Sequence, residues 1–337
     1  MADLKTTYLG IELKNPVIVG ASNMVNNVDN IKKAEEAGAA AVVYKSLFEE
    51  QIQLEQTQLS DDMSKYDERH PEMINLFPKI EHAGPKEHLV NLRKAKESVS
   101  IPIIASINAI YKESWLDYAK QIEETGVAAL ELNFYAVPRE LDKDGAGIEK
   151  EQVEILEEVK KAVNIPVSVK LSPFYANPLN VISKLDKAGC DGYVLFNRLF
   201  QPDIDTKEEE HTTSFYLTPE NEGRLSLRYS GLLYDNVKGS ICSNTGIYTG
   251  NDVAKMILAG ADCVQVVSVL YKKKIEEITS ILGSLEKWMD EKDYKSLDDF
   301  RGKLSNKKMN DPFVYKRAQY VDLLLNSEDI IHKYVPR

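Results

Sequence analysis

Short apolar runs alternate along the chain with longer polar stretches whose apolar positions recur every three or four residues, the pattern of strands alternating with amphipathic helices. Four helix-to-strand joints share one punctuation. A glycine, Gly38, Gly126, Gly189 or Gly260, closes a helical stretch and an apolar run follows at once. Glycine takes the left-handed position after a helix at little cost, so it ends the helix cleanly before the chain enters a sheet. Three more strands are announced by proline, in Asn15-Pro16-Val17-Ile18-Val19, Ile101-Pro102-Ile103-Ile104 and Ile165-Pro166-Val167; proline is tolerated at a strand's first residue. Ser240 to Ser243 adds an eighth. Helical periodicity is clearest over 27–37, 86–98, 113–125, 150–162, 178–188, 249–259 and 273–291.

Near-continuous Val/Ile/Leu strands flanked by helices predict a parallel sheet covered on both faces, and eight such units predict an α/β fold, a single closed (β/α)8 TIM barrel over residues 1–304. Two connections are too long for ordinary βα loops, Leu47 to Pro85 after the second strand and Phe200 to Arg228 after the sixth. Both lie on the same face and are expected to rise over the barrel mouth as lids. Residues 305–337, with Val314, Ala318, Val321, Leu324 and Leu325 at helical spacing, predict a C-terminal helical extension packed on the barrel or on a partner.

All eight strands turn polar at their C-terminal ends: Ala21-Ser22-Asn23, Lys45-Ser46, Ser106-Ile107-Asn108, Glu131-Leu132-Asn133, Lys170-Leu171-Ser172, Asn197-Arg198, Ser243-Asn244 and Ser268. Amides, hydroxyls and two lysines ringing an apolar barrel suit a polar planar ligand with an anionic tail. Ser243-Asn244-Thr245-Gly246 leads toward a helix N-terminus with Thr249 as its cap, and the loops after the seventh and eighth strands are the usual phosphate site of such barrels. Lys170 lies within a strand, where an ammonium needs a partner or an anionic ligand. Glu131 on the neighbouring strand offers a purely structural partner, so the lysine pair favours function more than either lysine alone.

Charge narrows the partners. Forty-two Lys and Arg stand against 53 Asp and Glu, a net charge of −11 in 337 residues, which opposes nucleic acid or an anionic membrane surface as a general partner. No amino-terminal signal core and no membrane-length apolar run appears, which predicts a cytoplasmic protein. Cys190, Cys242 and Cys263 are widely spaced within or beside apolar segments and read as buried side chains rather than a disulfide set or a metal site.

The strand ends, taken with Val169-Lys170-Leu171 and Pro173, Gly246-Ile247-Tyr248-Thr249-Gly250-Asn251-Asp252, Leu258-Ala259-Gly260-Ala261 with Val264-Gln265, and Tyr294 to Leu304, resemble the class 1 dihydroorotate dehydrogenases, FMN-dependent barrel enzymes of pyrimidine metabolism. The resemblance runs from Asn15 to about Leu304. It implies FMN as cofactor, held by Ala21, Ser22, Lys45, Asn108, Asn133, Lys170 and Asn197, with Ser243, Asn244, Thr245, Gly246, Val267 and Ser268 taking the phosphate. It also implies a small-molecule substrate at Asn75, Asn133, Asn197 and Arg198, hydride transfer at the flavin with Lys45 and Tyr135 as catalytic residues, and a homodimer.

The chain departs from that family at telling places. The family's Glu-Leu-Asn-x-Ser-Cys-Pro-Asn stands here as Glu131-Leu132-Asn133-Phe134-Tyr135-Ala136-Val137-Pro138. Ala136 cannot remove the substrate proton as the family's cysteine does, and a tyrosine phenol, with an ordinary pKa near 10, donates better than it accepts at neutral pH. The substrate loop survives only around Ile74-Asn75-Leu76. The Gly-Thr-Gly-Gly phosphate turn has lost glycines, and Arg198 replaces a Thr or Ser. Activity on dihydroorotate itself is therefore doubtful. The alternatives are an FMN- or metabolite-binding barrel without catalysis, and a phosphate-binding lyase using Lys170 or Lys45 as a Schiff base.

Overall fold

A computed structural model describes residues 2–50, 85–108, 112–134, 136, 141–198, 202–212 and 216–325. The sheet is one closed parallel ring. In chain order its strands are β3 (Val17–Val19), β4 (Ala41–Val43) with its short continuation β5 (Leu47–Phe48), β6 (Ile103–Asn108), β7 (Ala129–Asn133), β8 (Val167–Leu171), β9 (Gly192–Leu195), β12 (Ser240–Ser243) and β13 (Cys263–Val266). Counting β4 and β5 as one stave gives eight, and β13 pairs with β3 to close the ring.

Pro16, Pro102 and Pro166 sit immediately before their strands rather than as first members. Their carbonyls still join the ladder, accepting Val264 N–H at 2.8 Å, Val42 N–H at 3.1 Å and Leu130 N–H at 2.9 Å. A proline lacks only the donor, so the acceptor side of the strand starts one residue earlier than the donor side. The four punctuating glycines all have positive φ, from 79° at Gly126 to 128° at Gly260.

The helices outside the ring are α1 (Val28–Glu36), α2 (Pro85–Ser98), α3 (Lys112–Glu123), α4 (Gly145–Ala162), α5 (Pro178–Lys187), α6 (Arg224–Leu233) and α7 (Gly250–Ala259). Helix α4 starts earlier than its periodicity suggests because the Asp144 carboxylate caps it, accepting Gly147 N–H at 2.6 Å. The stretch expected as helical over 273–291 is α9 (Glu277–Glu291); a short separate helix, α8 (Ser268–Lys273), precedes it, and the break between them falls where Lys274 takes a φ of 86°.

The floor of the barrel is an element that the periodicity did not reveal. Residues Thr6–Tyr8 (β1) and Ile11–Leu13 (β2) form an antiparallel hairpin. Its Tyr8, Leu9 and Leu13 pack with Ile18, Val43, Ile104, Val194, Cys242 and Cys263 in one buried cluster. Cys190 is buried in the main core, and all three thiols are free.

Of the two long connections, 51–84 lies outside the described residues. The second carries an exposed hairpin, β10 (Asp203–Asp205) with β11 (Glu210–Thr212), and then returns to the barrel mouth at Tyr216–Thr218. In the C-terminal extension, α10 (Ala318–Leu325) buries no side chain, and Val321 and Leu324 are about half exposed.

Candidate active site

A cavity of about 510 Å³ opens at the C-terminal ends of the strands, within the range of small-molecule sites. Its described lining brings together Ala21, Ser22, Lys45, Asn108, Asn133, Lys170, Asn197, Arg198, Asn244, Thr245, Gly246, Val267 and Ser268. Ser243 is the exception. It is fully buried, and its hydroxyl pairs with that of Ser230 on α6 at 2.7 Å, so this side chain braces the turn from behind. Asn75 and Tyr135 lie outside the described residues. Ala136 is exposed and absent from the lining.

No aspartate, glutamate, histidine or cysteine belongs to the described lining. The titratable groups there are cationic or phenolic: Lys45, Lys170, Arg198, Tyr216, Tyr248 and Tyr271. Among the described residues, Lys45 makes no hydrogen bond or ion pair. Lys170, 6% exposed, pairs among the described residues with the Glu131 carboxylate alone, at 4.0 Å, beyond hydrogen-bond reach. Beside Lys45, His88 from α2 packs edge-on against Tyr44 with ring centroids 5.4 Å apart. Burial, and then the charge of Lys45, pushes its imidazole down to about 4, so it is neutral at physiological pH.

Asn133 and Asn197 form a pair across neighbouring regions of the rim, the Asn197 amide donating to Asn133 Oδ1 at 2.8 Å. Asn108, nearly buried, makes no such bond among the described residues. Arg198 is partly engaged: it donates to Tyr216 O at 2.8 Å and Thr218 Oγ1 at 3.3 Å and lies 3.7 Å from the Glu222 carboxylate.

The turn after β12 is sharply bent, with Thr245 at φ 70° and Gly246 at φ 65°. A side chain at Gly246 would meet Gly223 N at 2.4 Å, so only glycine lets the turn press against the start of α6. Asn244 Oδ1 accepts Thr245 N–H at 2.7 Å. The next amides, of Gly246 and Ile247, and that of Val267 across the cavity find no acceptor among the described residues. Helix α7 adds little positive end here, because its Thr249 cap and the Asp252 carboxylate close a capping box and Asp252 accepts the Tyr248 and Thr249 amides at 3.2 and 3.0 Å. The amides without an acceptor among the described residues therefore lie in the loops after β12 and β13, while the helix end is closed by its own cap.

Sequence reasoning missed the wall formed by Tyr216, Leu217 and Thr218. Thr218 is buried; its amide donates to Ser268 Oγ at 3.0 Å, and its carbonyl accepts the Tyr248 hydroxyl. Nothing in an acidic insertion points to such a clamp. Tyr271, whose hydroxyl accepts Met24 N–H at 3.2 Å, and Gln265 were likewise legible only as strand or helix residues.

A family model for dihydroorotate dehydrogenase matches residues 3–289. The chain belongs to the dihydroorotate dehydrogenase family. Members of this family are flavoprotein oxidoreductases acting on CH–CH bonds. The chain is 29% identical over 307 residues to dihydroorotate dehydrogenase B (NAD(+)), catalytic subunit, of Thermoplasma volcanium, covering 90% of this chain and 98% of that one. The protein of the same name from Methanocaldococcus jannaschii is 28% identical, with 83% and 93% covered. A second kind of relative is the chloroplastic dihydropyrimidine dehydrogenase (NADP(+)) of Arabidopsis thaliana, 25% identical, with 89% and 76% covered.

Proposed function

We propose that the cavity binds FMN and that the protein is an FMN-dependent oxidoreductase of a small, planar, pyrimidine-like substrate. The observation that carries this is the gathering of donors that lack a hydrogen-bond acceptor among the described residues, around a cavity whose described lining holds no acid: two ammonium groups, the loop amides of Gly246, Ile247 and Val267, and the Asn108 amide. Buried polar groups are almost always paired, so donors left open in concert favour an anionic, acceptor-rich ligand.

The residues fit this cofactor in two halves. The amides of Gly246, Ile247 and Val267 with the Ser268 hydroxyl would hold the phosphate; Ala21, Ser22, Lys45, Asn108, Asn133, Lys170 and Asn197 would hold the ring. Bound there, FMN supplies hydride exchange with the substrate. Lys170 and Lys45 stabilise negative charge at the ring edge, as fixed cations in a water-poor site do. Asn133 and Asn197, each both donor and acceptor, suit the imide-like edges of a pyrimidine. Arg198 attracts an anionic substrate group in competition with Glu222.

The direction of the chemistry follows from what the lining offers. With phenols and ammonium groups and no described carboxylate, imidazole or thiol, the site favours giving a proton to a double bond over removing one from a ring carbon. Ala136 in place of the family's cysteine points the same way, with Tyr135 as the donor, and it is also what a non-catalytic FMN-binding protein would carry. The reading includes a homodimer. Relatives named as catalytic subunits also suggest a second subunit for electron exchange. No helix among the described residues is long and apolar enough to cross a membrane.

The test is anaerobic. FMN-loaded protein bleached with dithionite is mixed with orotate, uracil and thymine in turn. Return of the flavin absorbance with one of them, together with formation of its dihydro product, is the expected result. Loaded protein that none of them, nor any related dehydropyrimidine, reoxidises points to the binding-protein reading instead.

A further inference from the structure

At the cavity floor, where Gln265 lines the cavity, the barrel interior holds a polar layer that the proposed chemistry does not use. Glu131 on β7 and Gln265 on β13 reach across the barrel toward each other, and Gln265 Nε2 donates to Glu131 Oε2 at 2.7 Å. Both residues are 1% exposed. Each nevertheless keeps one oxygen, Glu131 Oε1 and Gln265 Oε1, with no hydrogen-bond partner among the described residues. The ammonium of Lys170, one step nearer the mouth on β8, stands 4.0 Å from the same unpartnered Glu131 oxygen and hydrogen-bonds to nothing among the described residues.

A buried ion pair that served stability would close. It would bring the two charges into hydrogen-bond contact and satisfy the remaining lone pairs, since otherwise desolvation outweighs the attraction. This pair is held open. The Gln265 amide fastens the carboxylate from the far wall, and the ammonium is left between Glu131 and the cavity. Removed from water, the carboxylate's charge is weakly screened and opposes the positive field that Lys170 presents to a ligand above it.

We propose that Glu131 and Gln265 are positioning residues for Lys170 that set the reduction potential of the bound flavin. This rests on the flavin reading. Glu131 holds the potential down by offsetting part of the ammonium's field. Gln265 keeps Glu131 from closing onto Lys170 and cancelling that field altogether. Two neighbours in one layer therefore have opposite effects, which a merely structural role would not produce.

The experiment measures the potential of FMN-loaded protein by equilibration with a reference dye under slow reduction. Glu131→Gln keeps the shape and removes the charge, and the ratio of reduced to oxidised flavin at a fixed potential rises about tenfold, about 30 mV for a two-electron couple. Gln265→Leu frees the carboxylate to meet Lys170, and the ratio falls. In a Lys170→Met background, Glu131→Gln loses most of its effect, because it acts through the ammonium. Protein that takes up no FMN overturns the flavin reading and this proposal with it. Loaded variants that leave the potential unchanged, or that shift it in the same direction, overturn this proposal alone.

Discussion

The two ends of the barrel use charge in opposite ways. At the N-terminal end, carboxylates receive the backbone amides at the strand entries. Glu35 accepts Ser100 and Ile101 N–H at 2.8 and 3.1 Å, Glu123 accepts Asn164 and Ile165 N–H at 2.7 and 3.2 Å, and Asp186 accepts Lys238 N–H at 2.8 Å. Asp191 and Asp262, each the residue before a strand, accept Val167 N–H at 2.7 Å and Ile241 N–H at 2.8 Å. At the mouth the situation reverses: ammonium groups and loop amides stand without hydrogen-bond acceptors among the described residues. An acid given a donor by its own chain is a structural device, and a cluster of donors denied acceptors is a place kept for a ligand. Stability at the bottom and chemistry at the top is the usual division in such barrels.

The sharpest way to break this comparison is to exchange the costs. Lys45→Ala should lower turnover by about 100-fold or more, the scale of losing one fixed donor to developing charge, while the melting temperature barely moves, because Lys45 has no partner among the described residues. A drop in melting temperature with turnover intact would make Lys45 structural. The converse is Asp262→Ala at the bottom. It strips Ile241 N–H of its acceptor and removes one of two carboxylates from Arg301, the one 3.5 Å away, leaving only the exposed Asp298 at 3.1 Å. Urea unfolding should show a loss of about 3 kcal/mol, with activity per folded molecule unchanged.

A smaller effect sits between the two ends. His88 is held neutral, with its imidazole pushed from 6.5 to about 4. The folded value lies below the unfolded one, so the contribution is complete above about pH 6.5 and is lost as pH falls toward 4. It amounts to about 3 kcal/mol. His88→Asn should flatten that part of the stability profile in pH-dependent urea titrations; an unaltered profile would place the acid sensitivity elsewhere. Smallest of all, Thr245→Gly should stabilise by about 1 kcal/mol, because a β-branched residue at φ 70° is strained and glycine is not. Thermal melts would show it, and a loss of stability would mean that the Thr245 hydroxyl, 2.5 Å from Asn244 O, outweighs the strain.

The sequence makes the barrel readable because its joints are chemically explicit. Gly38, Gly126, Gly189 and Gly260 end helices, and Pro16, Pro102 and Pro166 open strands. The polar strand ends that converge at the mouth are readable for a related reason: a lysine or asparagine closing an apolar strand is costly to bury unless a partner or a ligand meets it. What escapes is everything that depends on long-range pairing. The hairpin at Thr6–Leu13 is too short to show a period. Glu35, Glu123 and Asp262 look like the solvated ends of helices and turns until the strand amides they receive are placed beside them. Gln265 reads as one polar residue in an apolar strand, and its meaning comes from Glu131 on the opposite wall. Tyr216–Thr218 is disguised by the acidic hairpin before it. Helix α7 shows a local signal with two meanings: the Thr249-to-Asp252 spacing that marks the helix start also supplies the carboxylate that closes it.

The central claim is that the mouth keeps its donors open for a flavin whose phosphate is gripped by the turns at 244–247 and 267–268. Titrating the flavin-free protein with FMN and with riboflavin, followed by quenching of flavin fluorescence, tests it most directly. Saturable binding of FMN, with riboflavin at least about 100-fold weaker because two or more charge-assisted hydrogen bonds are missing, is the predicted result. Equal affinity for the two, or no binding of either, would contradict it.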